Sequence, residues 1–370
     1  MKKFLHLADL HIGKKLGDYP LLEDQKLVLQ QAIAAAKNCD GVLIAGDIYD
    51  KSNPSTEAMA VFDEFLTKLY EARKPVYLIS GNHDAFGRIS YFGKILENNQ
   101  ITMPTEFTGK LQAVNMPDDE IQIYLLPFIT PTRVRAIYKD PKIESYQDAV
   151  EIVLKHSDIS QDKINILVAH QFITGGTKSD EEFAVGGLDN INASVFDMFD
   201  YVALGHLHKP QQCNRETIRY AGSPLKYSLS EEHHNKSFTV IEIQDKNNIK
   251  INLIPVQLPH DIRTVKGSSD ELFNTSRTED YISVILTDEN PDPDARAILR
   301  DNFPNMIQFR IENSKIQVSQ SVSVTESLEK KSPVDMLNMF YQSRHNSQNL
   351  TENQLQIVHE IFAELEEEGL

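Results

Sequence analysis

The chain has 370 residues, 41% of them hydrophobic and 25% charged, which is typical of a soluble globular protein of two or three domains. Its formal net charge of -17 argues against a protein that binds nucleic acid through a generally basic surface. The two cysteines exclude a disulfide framework, and neither a signal peptide nor an apolar run near the ~18 residues of a membrane span is visible, so we expect a cytoplasmic protein.

The first 110 residues alternate short apolar runs with helical patterns. Apolar runs at 4–8, 41–45 and 76–80 predict strands, and apolar residues at helical spacing predict helices over 22–37 and 57–70. This alternation favours a parallel or mixed sheet covered by helices.

Residues 111–257 are richer in strand patterns. Two strands are expected around a turn at 117–119, followed by a short helix at 148–156 and further apolar runs at 164–169 and 201–204. Residues 215–257 predict paired strands, which we interpret as a second, antiparallel half. The expected core is therefore an α/β arrangement of two sheets with helices outside.

The pattern changes near residue 260. Residues 281–286, 294–302 and 306–311 predict a strand, a helix and a strand, and from residue 326 the composition becomes polar and acidic. Two helices are expected in that last part, with start signals at Ser332-Pro333 and in a capping box at 351–354. The predicted domains are the main domain 1–260, a small α/β accessory domain 261–325, and a linker with a two-helix tail 326–370.

Five of the apolar runs each end in aspartate, asparagine or histidine. Ligands of open α/β sheets bind at the carboxyl ends of strands, so we expect these side chains to meet. Mixed oxygen and nitrogen donors suit Mn, Fe or Zn better than an all-oxygen cage for Mg or Ca, and two such ions about 4 Å apart can clamp a phosphate. The candidate ligands of this dinuclear site are Asp9, His11, Asp47, Asn82, His170, His206 and His208.

The five motifs, in this order, resemble the calcineurin-like metallophosphoesterase superfamily. Residues 7–13, and residues 221–225 followed by Ser228 and Glu231, resemble the SbcD family of exonuclease subunits, bacterial counterparts of the eukaryotic and archaeal recombination nuclease. The resemblance implies a two-sheet metallophosphoesterase sandwich flanked by helices, with an accessory capping domain that contacts DNA and a C-terminal helical tail.

The resemblance also assigns roles to these side chains. One ion would be held by Asp9, His11, Asp47 and His208, and the other by Asp47, Asn82, His170 and His206, with Asp47 as the bridge. His83 would contact the scissile phosphate and the leaving oxygen, oriented by Asp84. Asp50 stands where archaeal and eukaryotic relatives often carry histidine, and we expect it to orient a neighbouring group. Mn²⁺ is the expected metal, with Mg²⁺, Fe²⁺ and Zn²⁺ as alternatives.

Seven basic residues could bind phosphates locally despite the negative net charge: five follow the motifs, and two are expected in the loop after residues 125–128. They could contact phosphates near the ions while the remaining surface stays acidic. They are Lys14, Lys15, Lys51, Arg88, Arg133, Arg135 and Lys209. So few contacts predict weak DNA binding by the chain alone and help from a partner or a dimer. His6 is expected to pack in or beside the first strand, and His233 and His234 to lie in a solvated loop at 231–236. The remaining histidines are expected to be structural: His156, His260, His345 and His359.

The favoured function is a metal-dependent DNA nuclease subunit of repair and recombination, acting on duplex ends and on single-stranded or hairpin DNA. The resemblance implies that its C-terminal helices bind an SMC-like ATPase, SbcC, and that two copies form a homodimer within a heterotetramer. One alternative is a metallophosphoesterase acting on nucleotides or phosphoproteins. Another is a non-catalytic scaffold, which would have no need of the intact ligands and His83.

Overall fold

The computed structural model describes residues 1–89, 93–104, 106–116, 120–179, 190–313, 350–351 and 354–356. The chain divides into two compact units, Met1–Ile311 and Glu312–Leu370. The strands of the first unit are β1 Lys2–Leu7, β2 Lys15–Leu16, β3 Tyr19–Pro20, β4 Gly41–Ala45, β5 Val76–Ile79, β6 Ile101–Thr102, β7 Gln112–Asn115, β8 Ile121–Leu126, β9 Ile164–His170, β10 Tyr201–Gly205, β11 Gln211–Cys213, β12 Arg215–Tyr220, β13 Ser237–Asp245, β14 Asn248–Pro255, β15 Ile262–Gly267, β16 Tyr281–Leu286 and β17 Met306–Ile311.

Helices lie between these strands. They are α1 Leu22–Ala36, α2 Thr56–Glu71, α3 Phe86–Ile89, α4 Gly93–Glu97, α5 Pro131–Tyr138, α6 Tyr146–Lys155, α7 Ser269–Phe273 and α8 Ala295–Asn302. Of these, α2, α5, α6 and α7 begin at a capping side chain. Ser55 caps α2 by accepting a hydrogen bond from the Ala58 amide at 3.2 Å. None of the helices in the described part of the chain is long and apolar enough to cross a membrane.

Two six-stranded sheets form the core. The first has the order β14-β13-β1-β4-β5-β6, and the second has the order β11-β12-β10-β9-β8-β7. Within them, β1, β4 and β5 are mutually parallel, as are β8, β9, β10 and β12. The predicted two-sheet α/β class is confirmed.

The membership of the sheets differs from the prediction that residues 215–257 belong to a second half. The hairpin of β13 and β14 joins the N-terminal sheet, because β13 pairs antiparallel with β1, with Leu5 opposite Val240. Period-2 alternation predicts a strand but does not say which free sheet edge that strand will cover. The expected turn at 117–119 lies outside the described residues.

The sheets stack because their strands are apolar on both faces. Leu5 and Leu7 of β1 point to the same cluster as α1 and α2, whereas Phe4 points to the cluster between the two sheets. Tyr201 of β10 faces that inner cluster, and Val202 faces the outer cluster that contains residues of α6. The order of layers is therefore helices, sheet, sheet and helices, which leaves the carboxyl ends of the parallel strands open at the edge.

A third, three-stranded parallel sheet follows the core, in the order β15-β16-β17. It has its own apolar cluster, in which Ile282, Val284 and Leu299 are fully buried. Buried Asp24 of α1 accepts hydrogen bonds from His260 at 2.9 Å and from the Tyr281 hydroxyl at 3.2 Å, so this sheet is tied to the core. The sequence predicted β16, α8 and β17 but missed β15 and α7.

The capping box predicted for the tail is confirmed, whereas the helices themselves lie almost wholly outside the described residues. The Thr351 amide donates to the Gln354 side chain at 2.9 Å, and the Gln354 amide donates back to the Thr351 hydroxyl at 3.4 Å. The boundaries 260/261 and 325/326 stay predictions.

His6 gives the fold a dependence on pH. It is fully buried between the sheets and 3.0 Å from the Tyr201 hydroxyl, and burial lowers its pKa to about 3. When the pKa of a histidine is lowered in the folded state, its full contribution to the free energy of unfolding is present at pH values above the unfolded pKa. This contribution is lost as pH falls from about 6.5 toward 3, because the unfolded chain then takes up the proton. Between pH 7 and pH 5 we expect His6 to account for a loss of about 2 kcal/mol in the free energy of unfolding.

Urea unfolding at both pH values, with a chelator present, measures this effect. The loss between pH 7 and pH 5 should shrink by about that amount in His6→Phe. It should persist in Tyr201→Phe, which removes the hydroxyl and keeps the imidazole. Equal losses in His6→Phe and the wild type would show that His6 is not the titrating group.

Candidate metal centre and active site

Two loops at the carboxyl ends of β1 and β4 run side by side and carry the first ligand candidates. The Asp9 amide donates to the Gly46 carbonyl at 3.1 Å, and the His11 amide donates to the Asp47 carbonyl at 3.0 Å. Asp9, His11 and Asp47 all have positive φ angles, of 52°, 41° and 50°. Positive φ angles are unfavourable for residues other than glycine. They occur mainly at functional sites, where the surrounding contacts hold the backbone in this conformation.

Glycines allow the five loops to approach one another. A Cβ atom on Gly81 would lie 2.1 Å from Asp47 Oδ1, and one on Gly205 would lie 1.9 Å from the Ala45 carbonyl oxygen. Gly205 therefore lets β10 approach the main chain at the end of β4.

The first group of predicted ligands is buried at the seam between the sheets. His11 Nε2 lies 3.1 Å from His208 Nε2 and 3.6 Å from Asp47 Oδ2. Candidate ligand atoms of Asp9, His11 and His208 all lie within 4.8 Å of one another. Two strand ends of one sheet and one of the other therefore supply this group.

The second group also contains Asp47. His170 Nε2 is 3.3 Å from Asp47 Oδ2 and 2.9 Å from Asn82 Oδ1. The same Asn82 oxygen lies 3.1 Å from His206 Nδ1. All seven predicted ligands are thus brought together, and Asp47 is common to both groups.

The chemistry of this donor set fits metal ions. Asp9 Oδ2 is buried with no hydrogen-bond partner among the described residues, and the His11 and His208 nitrogens face each other with room for one proton at most. Buried acceptors that converge without enough donors are expected where a cation completes the site. Carboxylate and imidazole donors together suit Mn, Fe or Zn.

The pKa values of the two ligand carboxylates also indicate a site that favours cations. Burial raises the pKa of Asp9 to about 7, because charge is unfavourable away from water. Burial, the largest single effect, opposes ionisation of Asp47 too. The charge and hydrogen bond of His170 and the charges of His11 and His83 together outweigh it and hold the Asp47 pKa below its usual range. Positive charge beside Asp47 is therefore strongly favoured.

His83 lies beside the ligands and is only partly buried. Its amide donates to Asp47 Oδ1 at 2.9 Å, and its ring Nδ1 donates to the Asp50 carbonyl oxygen at 3.0 Å. The resemblance implied that Asp84 orients this ring. The ring instead makes its direct hydrogen bond with the main chain of Asp50. The Asp84 carboxylate instead accepts from the amides of Ile48, Tyr49 and Gly81, at 2.9 to 3.1 Å, and so ties two ligand loops together.

The predicted basic residues differ in what they can reach. Lys51 lines, with Asn82 and His83, a cavity of about 670 Å³, and Lys15 and Lys51 line a second cavity of about 580 Å³ that shares Asp50. Lys14 lies 3.3 Å from Asp50 Oδ1.

The remaining predicted basic residues have other surroundings. Arg135 donates to the Ile143 carbonyl from both Nε and Nη2. The Arg133 Cζ lies over the rings of Phe86 and Phe107, 4.8 and 5.2 Å from their centroids. Arg88 is exposed on α3, and Lys209 is partly buried just after His208. Contact with phosphates stays a prediction for all seven.

Sequence reasoning assigned no role to several buried polar residues that hold the site. Gln25 of α1 donates to the His11 carbonyl at 2.8 Å and accepts from the Gly13 amide at 2.9 Å, and the Tyr227 hydroxyl donates to the Leu10 carbonyl. Glu231 accepts from His208 Nδ1 at 3.0 Å. Gln25 sits in an amphipathic helix, where a glutamine is ordinarily a surface residue, so no sequence signal marked it.

The fold and the site define a class of phosphate-ester hydrolase. Residues 2–210 match the family model described as "Calcineurin-like phosphoesterase", and the chain belongs to this family, in its SbcD branch. Residues 258–345 match the model SbcD_C, described as "Type 5 capsule protein repressor C-terminal domain". The SbcD subunit of the nuclease SbcCD from Staphylococcus epidermidis is 32% identical over 352 residues, covering 92% of this chain and 93% of its own length.

Solved structures are more distant. The crystal structure of the protein TT1561 of Thermus thermophilus covers 69% of this chain and 99% of its own, with 11% sequence identity and a TM-score of 0.39.

The close approach at Gly205 predicts the effect of one methyl group. Because a Cβ there meets a main-chain oxygen at 1.9 Å, Gly205→Ala should lower the free energy of unfolding by at least about 3 kcal/mol. Gly87→Ala is the matched control, since a Cβ on that helical glycine meets nothing within 4 Å and should be neutral or stabilising by up to about 1 kcal/mol. Urea unfolding of both variants checks this, and equal stabilities would refute the steric explanation.

Proposed function

We propose that the protein is a metal-dependent DNA nuclease subunit that hydrolyses phosphodiester bonds of duplex ends and of single-stranded or hairpin DNA. The observation that carries the proposal is the similarity, over nearly the whole of both chains, to a protein named as a nuclease subunit. The buried Asp and His groups supply the centre that such hydrolysis requires.

Two divalent ions would occupy the centre, with Mn²⁺ as the proposed native metal. Asp9, His11, Asp47 and His208 would hold one ion, and Asp47, Asn82, His170 and His206 would hold the other. When bound, such ions polarise the phosphate and activate a water molecule as the nucleophile. The ring of His170 is held by donation from Nδ1 to the Ala45 carbonyl at 2.7 Å, which leaves Nε2 for the site.

His83 is the residue placed to act on the substrate. Its Nδ1–H is committed to the Asp50 carbonyl, so Nε2 is the atom that can hold or deliver a proton at the cavity. We assign it the role of contacting the scissile phosphate and protonating the departing 3′ oxygen. Asp84 supports it indirectly, by fixing the loops that carry Asp47 and His83.

Asp50 acts in two ways in this proposal. Its carbonyl orients His83, and its carboxylate attracts the Lys14 ammonium at 3.3 Å to the border of the cavity. Lys15 and Lys51, exposed along the two cavities, are the residues we propose to contact the backbone of the substrate.

Digestion of end-labelled duplex and hairpin DNA in Mn²⁺ or Mg²⁺, with and without the cognate ATPase, tests the proposal. Nucleotides and a phosphopeptide serve as competing substrates. Cleavage of DNA supports a nuclease, whereas turnover of nucleotides or phosphopeptide alone would identify another phosphoesterase. No hydrolysis with any divalent cation would leave only a scaffold.

Two variants separate metal binding from catalysis. His83→Ala should keep its metal and lose on the order of 10²-fold or more in cleavage rate, because it removes a transition-state contact. Asp47→Ala should both lose cleavage and fall below about two ions per chain, because it removes the shared ligand. Metal analysis and single-turnover cleavage measure both. Normal cleavage by His83→Ala, or full metal occupancy in Asp47→Ala, would refute the assigned role.

The tail is proposed to bind the partner. The name of the curated relative makes it one component of SbcCD, and we propose that this chain likewise assembles with an SMC-like ATPase, SbcC. Leu355, Val358, Phe362 and Leu365 follow helical spacing after the capping box at Thr351, which favours an amphipathic helix docking in a groove of another protein. The homodimer within a heterotetramer is part of the same proposal.

Truncation after Val324 should leave a folded, metal-loaded nuclease that no longer co-purifies with its ATPase and loses ATP-stimulated digestion of duplex DNA. Thermal unfolding and metal content of the truncated chain are the controls. Complex formation with unchanged affinity would show that another surface binds the ATPase.

A further inference from the structure

A buried pair of opposite charges lies directly behind His208. Glu231 and Lys236 flank a loop that follows the last ligand motif, and their side chains are both 0% exposed. Lys236 Nζ is 2.5 Å from Glu231 Oε2, so each ion is the main partner of the other. Burying two charges requires a large desolvation free energy, which their attraction and hydrogen bonds only about offset. Net stabilisation of the fold therefore does not account for this buried pair.

The carboxylate of Glu231 determines which nitrogen of His208 is available to the site. His208 Nδ1 lies 3.0 Å from Glu231 Oε1 and donates its proton to that oxygen. The other nitrogen, Nε2, therefore carries the lone pair and lies 3.1 Å from His11 Nε2, inside the first ligand group. An ionised acceptor on Nδ1–H also makes the imidazole a stronger electron donor.

Lys236 holds in place both the Glu231 carboxylate and the main chain of His208. Its ammonium donates to Glu231, to the Ser223 hydroxyl at 2.7 Å and to the His208 carbonyl oxygen at 2.9 Å. The main chain and the ring of His208 are thus held by the same pair of charges. The neighbouring Glu232 points elsewhere and accepts from the amide and hydroxyl of Thr264, at 2.6 and 2.7 Å.

We propose that Glu231 is a positioning residue that sets the tautomer and basicity of the metal ligand His208, and that Lys236 keeps the Glu231 carboxylate in place. The inference rests on the proposed two-metal centre. It assigns a role to two residues that touch neither the metal nor the substrate.

Manganese titration of the full-length, metal-free chain by calorimetry tests it with three variants. E231L/K236M replaces the buried pair by apolar side chains, which should preserve the fold. E231Q/K236M is equally neutral but keeps an oxygen that accepts from His208 Nδ1–H. E232Q is the matched control, because Glu232 does not contact His208.

We expect Mn²⁺ to bind E231L/K236M 10- to 100-fold more weakly than the wild type, the usual effect of losing such a partner. E231Q/K236M should fall between the two, and E232Q should bind as the wild type does. A purely structural role would not produce this graded recovery, and thermal unfolding of the metal-free variants records any loss of fold.

Each outcome bears on a different statement. If the wild type binds no Mn²⁺, the metal centre itself is refuted. If the wild type binds and both double variants match it, the centre stands and the role of Glu231 is refuted. Should E231L/K236M fail to fold, E231Q/K236M decides alone, since an affinity equal to the wild type would show that the charge of Glu231 is not needed.

Discussion

The structure depends on one carboxylate, Asp47, which is 2% exposed and lies between two groups of imidazoles. A buried anion is unfavourable unless positive charge or hydrogen-bond donors surround it. Here the His83 amide donates to one oxygen, while His11 Nε2 and His170 Nε2 lie 3.6 and 3.3 Å from the other. Because these groups come from distant parts of the chain, the fold must bring three other strand ends within a few ångströms of Asp47.

Stacking two sheets with parallel strands achieves this. The N-terminal sheet delivers three loops and the second sheet delivers two, and glycines allow close approaches both between the sheets and between neighbouring loops. Gly205 lets the main chain of β10 approach Ala45, and Gly81 leaves room for the oxygen of Asp47. The hairpin of β13 and β14 completes the edge of the first sheet, and the segment that precedes it carries Glu231 behind His208.

Much of this arrangement could be predicted from the sequence because the ligand residues stand at the ends of apolar runs, where a carboxylate or imidazole has no packing role. Local patterns of this kind also gave the bounds of β4, β16 and β17. Three features could not be found in this way. The partner of His83 is a main-chain carbonyl, which has no residue signature. Lys236 looks like a surface lysine until tertiary structure buries it. The exposed positions of β15 conceal its strand pattern, since only its two end residues are fully buried.

The net charge of -17 is consistent with a nuclease when the basic residues are considered one at a time. Arg135 is engaged by a carbonyl, Lys14 lies beside Asp50, and Lys15 and Lys51 line the cavities near His83. Each phosphate contact releases about one counterion, so two or three contacts give only weak, mildly salt-dependent binding. Such a chain can place a phosphodiester at its centre without holding DNA tightly, and tight binding then has to come from a second copy or a partner. The negative net charge and the proposed partner-binding tail are therefore compatible with each other: in the proposed assembly this chain would perform the hydrolysis and the assembly would supply tight binding of DNA.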